Sequence, residues 1–259
     1  PAKMKNLSFL EKKYKLRIVE DAAHALGAKY ECGSMVGSCK YSDLCVFSFH
    51  PVKIIAGGEG GMITTNSEEL YYKLLKLRTH GVNQKSSEIY NKEIGYTNNQ
   101  KNYWYYEMTD LGYHYRQTDI HCALIYSQMD RIDKFLNKRK KIAYFYDANF
   151  SNKNQYFLPQ KKFRDFSSNH LYTLNFDFIK NGIDRNYLMA ELANRNIITQ
   201  VHYIPVPLQY YYKKMGYDMS GLENTLEHYQ QCISLPIYYD LSKSQQNYII
   251  ESVNEILNI

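Results

Sequence analysis

The feature that most limits the fold is a set of short apolar runs in the first half of the chain, each placed against polar residues or glycine. Residues 16–19 run into Glu20-Asp21, residues 44–47 run into Ser48, and residues 62–65 follow a glycine cluster. Runs of this length, separated by helical patterns, read as buried strands of a mostly parallel sheet with helices on its faces, an α/β architecture. A carboxylate at the carboxyl end of such a strand sits where open α/β sheets bind ligands, and Asp21 holds that place.

Helical signals follow. Ser67 is placed to cap a helix whose Leu70, Leu74 and Leu77 share one face and cover the sheet. From about Gln84 to Asp110 the pattern dissolves into Asn, Tyr, Lys and Gln, too long for an ordinary connection and so a functional or mobile loop. A long helix over residues 118–149, with Ile125, Met129, Ile132 and Leu136 on one stripe, is expected to connect two domains. These are a large domain over residues 1–117 and a smaller α+β domain over residues 150–259. In the latter, residues 170–176 alternate like a half-buried strand, Asp184 caps a helix through Asn194, and residues 197–203 read as a second strand. A Ser242-x-x-Gln245 capping box opens a closing helix with Ile249, Val253, Ile256 and Leu257 inward.

Composition excludes several classes. A chain of 259 residues at 44% hydrophobic can bury a core. Its net charge of +6 suits a phosphorylated small molecule and falls short of a nucleic-acid footprint. The run Lys138-Arg139-Lys140-Lys141 reads as a solvated helix face. Five cysteines without a C-x-x-C pair indicate neither a disulfide framework nor a zinc site, and fit a reducing cytoplasm. No stretch reaches the roughly 18 apolar residues of a membrane helix, and residues 1–4 do not open a signal peptide, so a soluble cytoplasmic chain is expected.

Chemistry concentrates in the first sixty residues. Asp21 needs a cationic partner, and the protonated ring nitrogen of pyridoxal phosphate (PLP) is one. Lys53 is a candidate nucleophilic amine, and Ser48 with Gly57, Gly58, Gly60 and Gly61 could hold a phosphate. Each has a plainer reading: Asp21 as an ion-pair partner or cap, His24 and His50 as structural histidines, the glycines as a tight turn. The glycine spacing is not a Walker A loop, and no G-x-S-x-G elbow exposes a nucleophilic serine. From the residues alone, the chain is a ligand-binding α/β protein with a reactive-lysine candidate.

A longer set of motifs narrows this. Glu20-Asp21-Ala22-Ala23-His24-Ala25-Leu26-Gly27, Phe47-Ser48-Phe49-His50-Pro51-Val52-Lys53, Gly58-Glu59-Gly60-Gly61 and Arg78-Thr79-His80-Gly81 occur in order. Gly112-Tyr113-His114-Tyr115-Arg116-Gln117-Thr118-Asp119-Ile120, Ser168-Asn169-His170-Leu171-Tyr172 and Val201-His202-Tyr203-Ile204-Pro205 follow. Together they resemble the DegT/DnrJ/EryC1/StrS sugar aminotransferases, a branch of the fold-type I PLP enzymes with the aspartate aminotransferase-like fold. The resemblance implies transfer of an amino group from glutamate to a nucleotide-linked 4-keto-6-deoxy sugar, with a homodimer as the working unit. It implies Lys53 as the covalent cofactor anchor and proton carrier, Asp21 as partner of the ring nitrogen, and Ser48 as a phosphate ligand. His24, His50 and His114 would also meet the cofactor, and Arg116, His202 and Tyr203 the substrate.

Relatives that dehydrate or deoxygenate sugars carry histidine where this chain has Lys53, so the resemblance is to the transaminating branch. Its subfamily pattern is similar to enzymes acting on UDP-linked 4-keto-6-deoxy-N-acetylhexosamines toward pseudaminic acid. Two positions depart from the family, His114 where asparagine is common and Gln117 where an apolar residue is usual. Pro1 aligns well inside the family's large domain, so the 259 residues are expected to be poorly stable alone and to bind PLP weakly. The competing expectations are a truncated relative serving as a binding or interaction module, and a PLP-free hydrolase or sugar-binding protein.

Overall fold

The computed structural model describes residues 2–83, 89–151 and 155–258. Its contacts divide into two units, one of residues 2–23 and 34–130, the other of residues 24–33 and 131–259.

The first unit opens with helix α1 (Met4–Tyr14), ended by Lys15 in the left-handed conformation. Strands β1 (Val19–Asp21), β2 (Leu44–Ser48) and β3 (Gly61–Thr64) form a sheet in that order. Strand β1 begins later than the apolar run suggests, because pairing starts where Asp43 and Leu44 N–H both donate to Ile18 O. The pair β1/β2 is parallel, as expected, but β2/β3 is antiparallel, so this sheet is mixed. The chain returns from β2 to β3 through residues 49–60 with no helix, and a parallel return would need a crossover.

Helix α2 (Glu68–Leu77) starts at Ser67, whose side chain accepts from Leu70 N–H. Its leucine face is half-buried rather than a fully buried cover. The stretch from Gln84 to Asp110, as far as it is described, is built from small pieces: β4 (Val82–Asn83) pairs with β7 (Glu107–Met108), α3 (Lys92–Gly95) follows, and β5 (Tyr96–Thr97) pairs with β6 (Gln100–Lys101). Residues 84–88 lie outside the described residues. The Glu107 carboxylate ties this stretch together by accepting from Tyr90 N–H, Asn91 N–H and the Tyr105 hydroxyl.

The expected long helix is two helices, α4 (Asp119–Met129) and α5 (Ile132–Phe150), because the backbone leaves the helical region at Arg131. The stripe therefore breaks: Ile125 is buried, Met129 is 40% exposed.

In the second unit β8 (Tyr156–Phe157), β9 (Tyr172–Phe176) and β10 (Cys232–Leu235) form an antiparallel sheet with β9 central. All five residues of β9 are buried, so it is not the half-buried strand that alternation implied. Its apolar side, Tyr172, Leu174 and Phe176, joins one core with Tyr146 and Phe150 of α5, Leu188 and Leu192 of α6 (Arg185–Asn194), and Ile249 and Val253 of α9 (Lys243–Ile256). Each fully buried large apolar side chain here stabilises the fold by roughly 1.5–3 kcal/mol. On its polar side Thr173 N–H reaches Gln160 and the Asn175 amide meets His228 of α8 (Glu223–Gln231), after the short α7 (Tyr210–Lys214). Residues 197–203 are not a strand; only Gln200 pairs, by two backbone bonds to Ser234, and β10 takes the place expected for them. The Asp184 cap and the Ser242/Gln245 capping box both form.

Arg139 is not part of a solvated face. It is buried, and its guanidinium donates to His170 O and Ile237 O. Nearby Asp147 holds Arg164 by two bonds of 2.8 and 3.0 Å and accepts the Tyr172 hydroxyl at 3.0 Å. Burial, reinforced by the Asp147 charge, pushes the Tyr172 phenol far up, so it remains a donor. Among the described residues no helix is long and apolar enough to cross a membrane. Because Arg164 is 1% exposed, Asp147→Ala should cost about 3–5 kcal/mol of unfolding free energy in urea titration, and Tyr172→Phe only about 1 kcal/mol.

Candidate functional site

The carboxyl edge of β1 and β2 sets out the first residues. With Asp21 opposite Val46 in a parallel ladder, Asp21 and Ser48 fall on one face, while Glu20, Cys45 and Phe47 fall on the other. That other face is buried: Glu20 accepts the Ser42 hydroxyl, and burial together with the Glu20 charge pushes the Cys45 thiol up to about 12. Of the two adjacent carboxylates, Asp21 is the exposed one, oriented by Ala23 N–H on Oδ1 at 3.0 Å.

Lys53 lies on the return from β2 to β3. Phe49 N–H donates to Gly60 O and Gly57 N–H to Phe49 O, which closes the loop on itself. Inside it, Lys53 N–H donates to His50 O, and Ser48 Oγ accepts from His50 N–H at 3.4 Å. Ile54 and Ile55 are buried, so Lys53 projects half-buried from an anchored backbone. Helix α4 closes on the far side. A Cβ at Gly57 would stand 2.6 Å from Ile125 Cγ1, which is why glycine is needed there. The Gln128 amide bonds both polar groups of Ala56, and Gln117 Nε2 donates to Glu59 O at 2.5 Å.

The motifs around His80 and His114 are one structure. His80 N–H donates to Tyr113 O, Tyr115 N–H to Arg78 O, and Thr79 bridges His114. Gly81 and Gly112 meet so closely that a Cβ on either would overlap backbone, and the His80 and His114 rings lie edge to face at 5.4 Å. His50, His114 and Arg116 are exposed.

In the second unit His24 stands at the centre of a ring cluster. Its ring centroid lies 4.4 Å from His170 and 6.2 Å from Tyr203, whose hydroxyl is 3.4 Å from His24 Nε2. Ser168 donates to His24 O, and His202 Nδ1 pairs with Ser234 Oγ at 2.8 Å. Within the first unit the structure gathers Asp21, Ser48, His50 and Lys53 around one sheet edge and its loop; within the second it gathers His24, His202 and Tyr203. Among the described residues no group of three or more His, Cys, Asp or Glu is placed to hold a metal.

An α/β unit with a lysine-bearing loop at a carboxyl strand edge is the frame of fold-type I enzymes, and comparison narrows it further. The family pattern of the DegT/DnrJ/EryC1/StrS aminotransferases matches residues 1–254, and the chain belongs to that family. It is 36% identical over 256 residues to a UDP-4-amino-4,6-dideoxy-N-acetyl-beta-L-altrosamine transaminase of Campylobacter jejuni, covering 98% of this chain and 62% of that one. The solved PseC of Helicobacter pylori, an aminotransferase involved in the biosynthesis of pseudoaminic acid, superposes with a TM-score of 0.86 at 28% identity, over 100% of this chain and 64% of that one. The PLP form of a sugar aminotransferase from Streptococcus pneumoniae gives 0.79 at 31%, over 96% and 60%. The chain thus spans less than two thirds of the length of these relatives.

The sequence pattern does not single out Gln128, and marks Gln117 only as a departure from the family. The available signal was the spacing of His121, Ile125 and Gln128, a helical face opposite the glycine loop. Gly57→Ala should lower stability by about 1–3 kcal/mol through overpacking, and Ile125→Ala in the same chain should return part of that loss. Strict additivity in the double-mutant cycle would show that the two positions do not touch.

Proposed function

We propose that the protein is a PLP-dependent aminotransferase that moves an amino group from glutamate to the keto carbon of a UDP-linked 4-keto-6-deoxy sugar. The observation that carries this reading is the placement of Lys53 on a hydrogen-bonded loop that leaves the carboxyl strand edge on which Asp21 and Ser48 share a face. The donor set fits the cofactor: an exposed carboxylate for a protonated ring nitrogen, a hydroxyl for phosphate, and an amine for an aldehyde. Bound there, PLP supplies an electron sink for the reacting carbon.

Lys53 Nζ anchors the cofactor and moves the proton on the substrate carbon. The Asp21 carboxylate keeps the ring nitrogen protonated, an electrostatic role that strengthens as charge develops in the transition state. Ser48 Oγ binds phosphate, with His50 and His114 as further cofactor contacts. We assign His24 to the cofactor and Arg116, His202 and Tyr203 to the substrate; imidazole, guanidinium and phenol are suited to sugar hydroxyls and diphosphate. The Campylobacter and Helicobacter relatives, both named for this branch of amino-sugar synthesis, support a UDP-linked N-acetylhexosamine. A second copy of the chain is the proposed partner, in line with the exposed Tyr103, Trp104, Tyr113 and Tyr115 of the first unit.

The intact protein, given PLP, glutamate and the UDP-keto sugar, should yield the amino sugar, read by mass spectrometry as exchange of a keto oxygen for an amine. Asp21→Asn should cut turnover by about 10²- to 10³-fold with an unchanged circular dichroism spectrum. A colourless, well-folded protein that makes no amino sugar would favour a binding module instead. Near-normal turnover of Asp21→Asn would make Asp21 structural.

A further inference from the structure

The return loop that carries Lys53 is not strand, and the backbone donor and acceptor of Ala56 find their partners on a side chain. Gln128 on α4 does both. Its Nε2 donates to Ala56 O at 2.7 Å, and its Oε1 accepts from Ala56 N–H at 3.3 Å. The second proton on Nε2 goes to Leu124 O at 2.8 Å, one turn back on the same helix. This pattern admits one orientation of the amide, since Ala56 offers a donor on one side and an acceptor on the other. The carboxamide thus imitates a neighbouring strand for one residue.

We propose that Gln128 is a positioning residue for Lys53, a role that rests on the reading of Lys53 as cofactor anchor. Ala56 is three residues from Lys53, and the segment between is held by its side chains, with Ile54 and Ile55 buried. Burial of those side chains fixes how deep the loop sits. The two bonds at Ala56 fix the rotation of the peptide planes, and with them the direction in which Lys53 leaves the backbone. On the other flank, the bond from Lys53 N–H to His50 O completes the restraint. Gln117 adds a third point through Glu59 O, so one stretch of chain, 117–128, grips the loop from Ala56 to Gly60.

Two variants separate this role from mere packing. Gln128→Leu keeps most of the volume and removes every bond; Gln128→Glu keeps the acceptor for Ala56 N–H but sets a charge beside Ala56 O. Hydrogen–deuterium exchange of the peptide containing residues 54–60, measured on cofactor-free protein, should quicken about 10-fold or more in Gln128→Leu and less in Gln128→Glu. In the cofactor-loaded protein kcat should fall about 10- to 100-fold in Gln128→Leu, with KM for the sugar within about twofold. Should Gln128→Leu not fold, Gln128→Glu carries the same comparison. Unchanged exchange in this peptide, or a loss confined to KM, overturns the proposal. An unaltered protein that takes up no cofactor would remove the reading beneath it, whereas unchanged exchange removes the clamp alone.

Discussion

The candidate site depends on one constraint: the backbone between β2 and β3 leaves the sheet and finds other hydrogen-bond partners at Phe49, Lys53, Ala56, Gly57 and Glu59. An unpaired, buried peptide group costs about as much as the bond it lacks, so a loop that presents a lysine must find partners for the residues around it. Here the partners are three. The loop closes on itself between Phe49, Gly57 and Gly60; a tight turn joins His50 to Lys53; and the side chains of Gln117 and Gln128 bond Glu59 O and both polar groups of Ala56. Glycine at position 57 permits this approach, since any side chain there would meet Ile125. Two stretches that are separate in sequence thus share a mechanical purpose in the first unit: residues 49–60 carry the lysine, and residues 117–128 supply the grip.

The second unit solves a similar problem with buried charge. Arg139 and Arg164 are almost wholly enclosed, and each is matched by groups whose positions are set by different elements: backbone carbonyls of the 169–170 and 237 segments for one, Asp147 of α5 for the other. Such pairs contribute less to net stability than their geometry suggests, but breaking one leaves an uncompensated charge. Arg139 also holds the carbonyls of Asn169 and His170, so the ring next to His24 depends on a cation buried beneath it.

Much of this was legible in the sequence where a local rule decides it. The Ser67, Asp184 and Ser242 caps follow from side-chain chemistry alone, and the edge positions of Asp21 and Ser48 follow from strand ends. What could not be read depends on tertiary pairing. No glycine or proline marks the break at Asp130-Arg131, so the helix pattern ran on. Polar Thr173 and Asn175 suggest an open face on β9, yet both are buried, and the Asn175 amide meets His228 from elsewhere in the chain. The basic run containing Arg139 resembled any solvated face, because its carbonyl partners lie 30 to 98 residues away. Gln128 is not legible in the sequence because a glutamine on a helix has no local signature of the loop it holds.

Lys53 is the group proposed to take the cofactor, and borohydride reduction tests that assignment. The intact protein would be loaded with PLP, treated with borohydride, digested, and its peptides mapped by mass spectrometry. The pyridoxyl group is expected on Lys53 and is expected to be lost in Lys53→Ala. A pyridoxyl group on any other lysine, or none on the unaltered protein, would contradict it.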